Sequence, residues 1–282
     1  VTSVRVLVVI VVVVFAALVV SVLVNRVDLW RLWSLIGDEE FYMAASLALF
    51  YLYPSPDSVL TVLLSVVLSG SVNVSLKYWL CTPRPPDPLV VVEGYGFPSG
   101  HAQVSTSFWF TTSWIRRDYA LLFLSVVVVA GVSLSRLYLR AHYPVDVIGG
   151  VLIGFFISLG VYLSVRITGY LAEVVLAATS LVLSTAAYML LGAPSDSCSV
   201  LAATALSLLV VYWVFARRGF KIWNLGLRAR VFFLLTSLLV VYTAHSVTRG
   251  LVFPARFLAV FSGVLLALCL PLLSSGARRA GY

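Results

Sequence analysis

The stretch VLVVIVVVVFAALVVSVLV, residues 6–24, decides the solvent in which this chain folds. It carries no charge, and as a helix rising 1.5 Å per residue it nearly crosses a hydrocarbon core of roughly 30 Å. A cleaved leader has a shorter apolar core followed by a small-residue cleavage pattern. Here Asn25-Arg26-Val27-Asp28 follows, so the run is expected to remain as a helix. Helices are expected throughout, because an open sheet in lipid leaves backbone groups unpaired.

The rest of the chain repeats this character. Of 282 residues, 61% are hydrophobic and 11% charged, against about 25% charged in an ordinary soluble domain. Ten spans are expected, at about 5–24, 39–53, 58–79, 99–115, 119–138, 144–164, 168–191, 198–215, 231–247 and 256–273. The fold class is an all-α polytopic transmembrane helical bundle. The second span is short, with Ile36-Gly37-Asp38-Glu39-Glu40 as its possible extension. Trp30, Trp33, Tyr51, Tyr53, Tyr138 and Tyr143 fall near expected helix ends, where amphipathic rings favour the headgroup level.

The net charge of +8 lies in short loops between apolar segments, where Lys and Arg report membrane orientation rather than a nucleic-acid partner. Cys81, Cys198 and Cys269 lack metal-ligand spacing, and a Cys81–Cys198 bridge stays open if both face an oxidising side. One connection is long and unusual: Cys81 to Phe97 holds Pro83, Pro85, Pro86, Pro88, Gly94 and Gly96, which cannot continue a helix. A softer boundary falls near Thr168, because every chemically useful cluster precedes it.

Three clusters place cations or histidines where an expected helix meets water, and such boundary charges are costly enough to suggest function. The first runs from Lys77 to Pro85. Lys77 is still helical, while Pro83 puts Arg84 in the loop, free to fold back beside Lys77. The bland alternative is two snorkelling interface residues. The second, Pro98-Ser99-Gly100-His101, is expected to open the fourth span with Pro98 at the first helical position, so that free N–H groups near Ser99 and Gly100 form an anion site. A plain helix start is the alternative. The third contains Ser135, Arg136, His142 and Asp146. Pro144 starts the sixth span, so the Asp146 carboxylate can reach back to His142, fix its tautomer and leave the other ring nitrogen as a nucleophile. A capping pair is the bland reading there. His245, with no acid or base near it, reads as a polar residue inside the bundle.

Two spans separate the second cluster from the third, so both emerge on one face together with Lys77, Arg84 and Arg136. Cations and N–H dipoles around two histidines suit phosphoryl transfer, in which one His attacks phosphorus and another protonates the leaving oxygen.

The pattern Lys77-x6-Arg84-Pro85, Pro98-Ser99-Gly100-His101 and Ser135-Arg136-x5-His142-x3-Asp146 resembles the complete three-part signature of the type 2 phosphatidic acid phosphatase superfamily. The resemblance implies that Lys77, Arg84, Ser99, Gly100 and Arg136 bind phosphate. It also implies that His101 is the general acid, His142 the nucleophile and Asp146 its orienting partner. It further implies a six-helix catalytic core over residues 1–167 that works without a metal or other cofactor. Residues 168–282 then supply four additional helices with no assigned role. Vanadium-dependent haloperoxidases have a similar motif geometry, but they are soluble. A transporter is a second class of reading, yet no pair of interrupted helices marks matching halves.

The expected partners are the bilayer and a membrane lipid substrate. Polyprenyl diphosphate, phosphatidic acid, phosphatidylglycerol phosphate and sphingoid phosphate all fit, and a small phosphate ester is the alternative. Alternating ten spans puts eleven of nineteen basic residues on the side of the N-terminus, so the site is expected to face away from the cytoplasm, at the plasma membrane.

Overall fold

The computed structural model describes residues 2–52, 56–218 and 225–276. Among these the regular elements are helices: α1 (Thr2–Val24), α2 (Val27–Leu35), α3 (Glu39–Leu52), α4 (Pro56–Leu80), α5 (Gly100–Arg116), α6 (Tyr119–Tyr138), α7 (Pro144–Thr168), α8 (Tyr170–Leu191), α9 (Ser195–Arg218), α10 (Leu227–Val247) and α11 (Phe253–Gly276). The protein is an all-α polytopic bundle.

Eight of the described helices are long and apolar enough to cross a membrane, two fewer than the sequence pattern suggests. The two that fall short are α3 and α5. With 14 residues, α3 rises only about 21 Å. On α5, Gln103, Ser105, Thr106, Ser107 and Thr111 are buried, a polar inner face that lowers its hydropathy. The short α2 is also unanticipated, and it forms because Trp30, Trp33 and Ser34 share one buried face.

Two compact units divide the chain. The first comprises residues 1–42 and 76–163, the second 43–75 and 164–282, so all three cuts fall inside helices, in α3, α4 and α7. In the first unit α6 is the hub, against which α1, α2 and α5 pack. Leu124, Val128 and Val132 of α6 meet Leu7, Val11 and Val14 of α1. Trp30 and Trp33 of α2 pack with Leu139. The Trp33 indole N–H donates to Ser21 Oγ at 3.0 Å, and its ring lies so close to Gly131 that a Cβ there would sit 2.3 Å from it. Both tryptophans are therefore core residues rather than headgroup anchors. The α5–α6 hairpin closes in two residues, with Arg117 left-handed (φ 52°) and the Asp118 carboxylate accepting from the N–H groups of Ala120 and Leu121.

The second unit packs α8 on α9 and α9 on α11, with α10 against α11. Small residues permit these approaches: Ala202, Ala203 and Ala205 of α9 are fully buried. Polar links cross the unit, including Ser71 to Ser184 at 3.0 Å and Tyr212 O–H to the Leu60 carbonyl at 3.2 Å. Tyr51, expected at an interface, is instead buried and bonded to Ser237 at 2.9 Å. Tyr53 lies outside the described residues. His245 is buried, with its Nε2 3.2 Å from Arg249 Nη2. The three cysteines are free thiols.

Candidate active site

Proline spacing creates the first part of the site. α4 ends at Leu80, and Cys81 turns left-handed (φ 50°) while its N–H still bonds the Lys77 carbonyl at 2.9 Å. The Pro-rich loop then doubles back. Its Phe97 and Gly96 N–H groups donate to Thr82, on Oγ1 at 2.6 Å and on the carbonyl at 2.9 Å. Leu89 N–H binds the Leu139 carbonyl at 2.9 Å, which ties the loop to the end of α6. Lys77 Nζ donates to the Tyr95 carbonyl at 2.7 Å, and Arg84 donates to the carbonyls of Glu93 at 2.6 Å and Gly94 at 3.0 Å. The fold-back of Arg84 toward the helix end therefore occurs, held by the loop's own backbone.

The second part differs from expectation at its start. Gly100, not Pro98, is the first helical residue of α5, and Ser99 is its N-cap. The Ser99 N–H is already engaged with the Asp146 carbonyl at 2.9 Å, so this residue offers an anion its hydroxyl, which is buried without a hydrogen-bond partner. The N–H groups of Gly100 and His101, in the first turn, have no intrahelical acceptor. Close approach of α5 to α7 rests on Gly150 and Gly154. A Cβ on Gly150 would meet Ser99 O at 2.6 Å, and one on Gly154 would meet Gln103 O at 2.3 Å.

At the third part, Arg136 lies in the last turn of α6 and is buried, its Nε without a partner. His142 follows in the α6–α7 turn, 4% exposed. Its Nδ1 lies 3.4 Å from Asp146 Oδ2, an oxygen that also accepts the Tyr143 N–H at 3.0 Å. The Nδ1 contact is an ion-pair distance without hydrogen-bond alignment. Arg84 Nη1 sits 3.1 Å from the other ring nitrogen, Nε2. A guanidinium only donates, so Nε2 presents its lone pair and the ring proton belongs on Nδ1, toward Asp146. Burial, then Lys77, Arg84, Arg136 and His101, push the imidazole down to about 2 from its ordinary 6.5. Burial also lowers the Arg84 guanidinium, against the pull of Asp146 and Tyr78.

His101 Nε2 is 2.7 Å from Asp38 Oδ1, a partner absent from the sequence reading. Ser34 and Gly37 were likewise unmarked, since the segment before α3 read only as a possible extension of a short span. The Gly149-Gly150-x3-Gly154 spacing carried a readable signal, small residues at helical intervals, whereas loop residue Thr82 carried none.

A buried imidazole whose free nitrogen faces an arginine, within the electrostatic reach of a lysine, a second arginine and a second histidine, has the charge to receive an anion. Residues 58–169 match the PAP2 superfamily, in agreement with the three-part signature. Over 139 residues it is 33% identical to sphingosine-1-phosphate phosphatase 2 of Mus musculus, covering 44% of this chain and 38% of that protein. It is 38% identical over 100 residues to the Homo sapiens protein of that name, covering 31% of this chain and 24% of the relative. It is 36% identical over 89 residues to an undecaprenyl-diphosphatase of Sulfolobus acidocaldarius, covering 32% of this chain and 38% of that protein. The matches thus span between 24% and 38% of the length of these curated relatives. No solved structure matches.

Proposed function

We propose that this protein is an integral membrane phosphatase that removes a terminal phosphate from a lipid phosphate or diphosphate through a phosphohistidine. The observation that carries the reading is the state of His142: Nε2 free as an acceptor beside Arg84, Nδ1 turned to Asp146. His142 Nε2 attacks phosphorus, an N–P bond forms, and the bond to the leaving oxygen breaks as His101 supplies its proton. Water then attacks the phosphohistidine while His101 takes a proton back, and inorganic phosphate leaves. Lys77, Arg84 and Arg136, with the Ser99 hydroxyl and the N–H groups at Gly100, neutralise the equatorial oxygens. These cations belong to the protein, so the reaction is drawn without a metal.

The catalytic part is drawn over residues 1–167, which contain every site residue, with 168–282 outside the chemistry. A substrate anchored by an apolar tail reaches a site at the membrane boundary laterally. The names of the relatives support this class: each substrate named there is a phosphate on a long apolar chain. In detergent, purified protein is expected to release phosphate from sphingoid and polyprenyl substrates in EDTA, to be inhibited by vanadate, and to lose both turnover and phosphate labelling as His142→Ala. Equal labelling of wild type and His142→Ala would overturn the assignment. Activity lost in EDTA and restored by magnesium would overturn the metal-free reading.

A further inference from the structure

The turn that joins α2 to α3, Ser34-Leu35-Ile36-Gly37-Asp38, lies outside the signature but inside the site. Its own bonds are tight, Gly37 N–H to the Ser34 carbonyl at 2.8 Å and Asp38 N–H to the Leu35 carbonyl at 3.3 Å. Three of its residues touch signature residues. Ser34 Oγ lies 2.5 Å from Arg136 Nη1, and both side chains are buried. Gly37 brings its backbone against the imidazole of His101: a Cβ there would sit 2.7 Å from His101 Cδ2 and 2.9 Å from Val132 Cγ1. Asp38 Oδ1 meets His101 Nε2 at 2.7 Å, closer than Asp146 comes to His142. Trp33, lying flat on Gly131, anchors the helix that ends in this turn.

A histidine that must deliver a proton has to be charged first. Burial opposes a positive charge on His101, and so do two cations on neighbouring elements, Arg136 from α6 and Lys77 from α4. Asp38 is the carboxylate that offsets them, and it acts on Arg136 as well.

We infer that Asp38 is a positioning residue for the general acid, orienting the His101 ring and favouring its imidazolium form from a fourth sequence segment, Ser34-x2-Gly37-Asp38. One ring proton stays on Nε2 in the bond to Asp38, and the other goes to the leaving oxygen. This inference rests on the phosphatase reading above.

The test separates leaving groups. In a single turnover, Asp38→Asn is expected to slow phosphoenzyme formation from dodecyl phosphate, whose alkoxide needs a proton, by about 10²–10⁴-fold. From p-nitrophenyl phosphate, whose leaving group needs none, the loss is expected to stay under about tenfold, because attack by His142 is untouched. The alkaline limb of the dodecyl phosphate profile should move to lower pH in Asp38→Asn and return toward wild type in Asp38→Glu. Equal losses with the two substrates at unchanged thermal stability in detergent would reduce Asp38 to a structural role and overturn the inference, while His142-dependent labelling of wild type left the phosphatase reading standing. If Asp38→Asn does not fold, the same ratio is read on Asp38→Ala, where an unchanged ratio and pH limb overturn it equally. Absence of any His142-dependent phosphoenzyme in wild type would overturn both.

Discussion

A histidine that attacks phosphorus must be neutral when the substrate arrives. His142 meets that requirement because burial and four nearby basic groups make a proton on it costly. Its folded form refuses a proton that the unfolded chain accepts below about pH 6.5, so its contribution to stability is complete above that pH. The contribution is lost as pH falls from there toward about 2. The kinetic counterpart is a missing limb. Single-turnover phosphoenzyme formation, corrected for the second ionisation of the substrate near pH 6, is expected to show no acid limb with a midpoint near 6.5. A remaining limb at that pH would mean that His142 titrates like an exposed histidine.

At the scale of elements, α7 is a helix with two kinds of glycine. Gly150 faces Ser99 and Gln103 of the neighbouring segment, whereas nothing lies within 4 Å of where a Cβ on Gly160 would be. Gly150→Ala is expected to push the start of α5 away from Asp146, lowering kcat/KM by at least about tenfold and destabilising the fold by roughly 1–3 kcal/mol through overpacking. Gly160→Ala should leave activity intact and raise stability by up to about 1 kcal/mol. Thermal unfolding and kcat/KM measured on both variants decide the matter, and equal behaviour would remove the packing argument. This contrast also marks what the sequence made legible. Long apolar runs and the Pro-rich break positioned most helices, and fixed spacing carried Lys77, Arg84, Ser99, Gly100, His101, Arg136, His142 and Asp146. The contacts of Asp38 and Ser34 were hidden, because each pairs with a residue far away in the chain, 102 positions for Ser34 and Arg136. The burial of Trp30, Trp33 and Tyr51 was hidden for the same reason: a ring near a helix end looks alike whether it meets headgroups or another helix.

For the whole molecule the open choice is which side the site faces. Asp38, at the start of α3, and Lys77, at the end of α4, both belong to the site. The chain therefore leaves the catalytic end and returns to it between them, although α3 is short. In the ten-span reading of the sequence eleven of nineteen basic residues fall on the side opposite the site, the basis for proposing an extracytoplasmic site. In a background without native cysteines, Asp87→Cys in the exposed loop is expected to react with an impermeant thiol reagent on intact cells, and Arg116→Cys at the α5–α6 hairpin to stay protected. The reverse pattern would put the chemistry in the cytoplasm.

One helix ties the two compact units to a common history. Residues 56–75 of α4 lie in the second unit, and without a break the next turn carries Lys77 into the first. Ser71 on that rod bonds Ser184, and Leu60 receives the Tyr212 hydroxyl. Within the second unit those two bonds fix where α8 and α9 lie against residues 60–71 of α4, so a substitution at one partner is felt first by the other. Compensating changes are therefore expected to accumulate in pairs between α4 and α8–α9, at positions outside the signature.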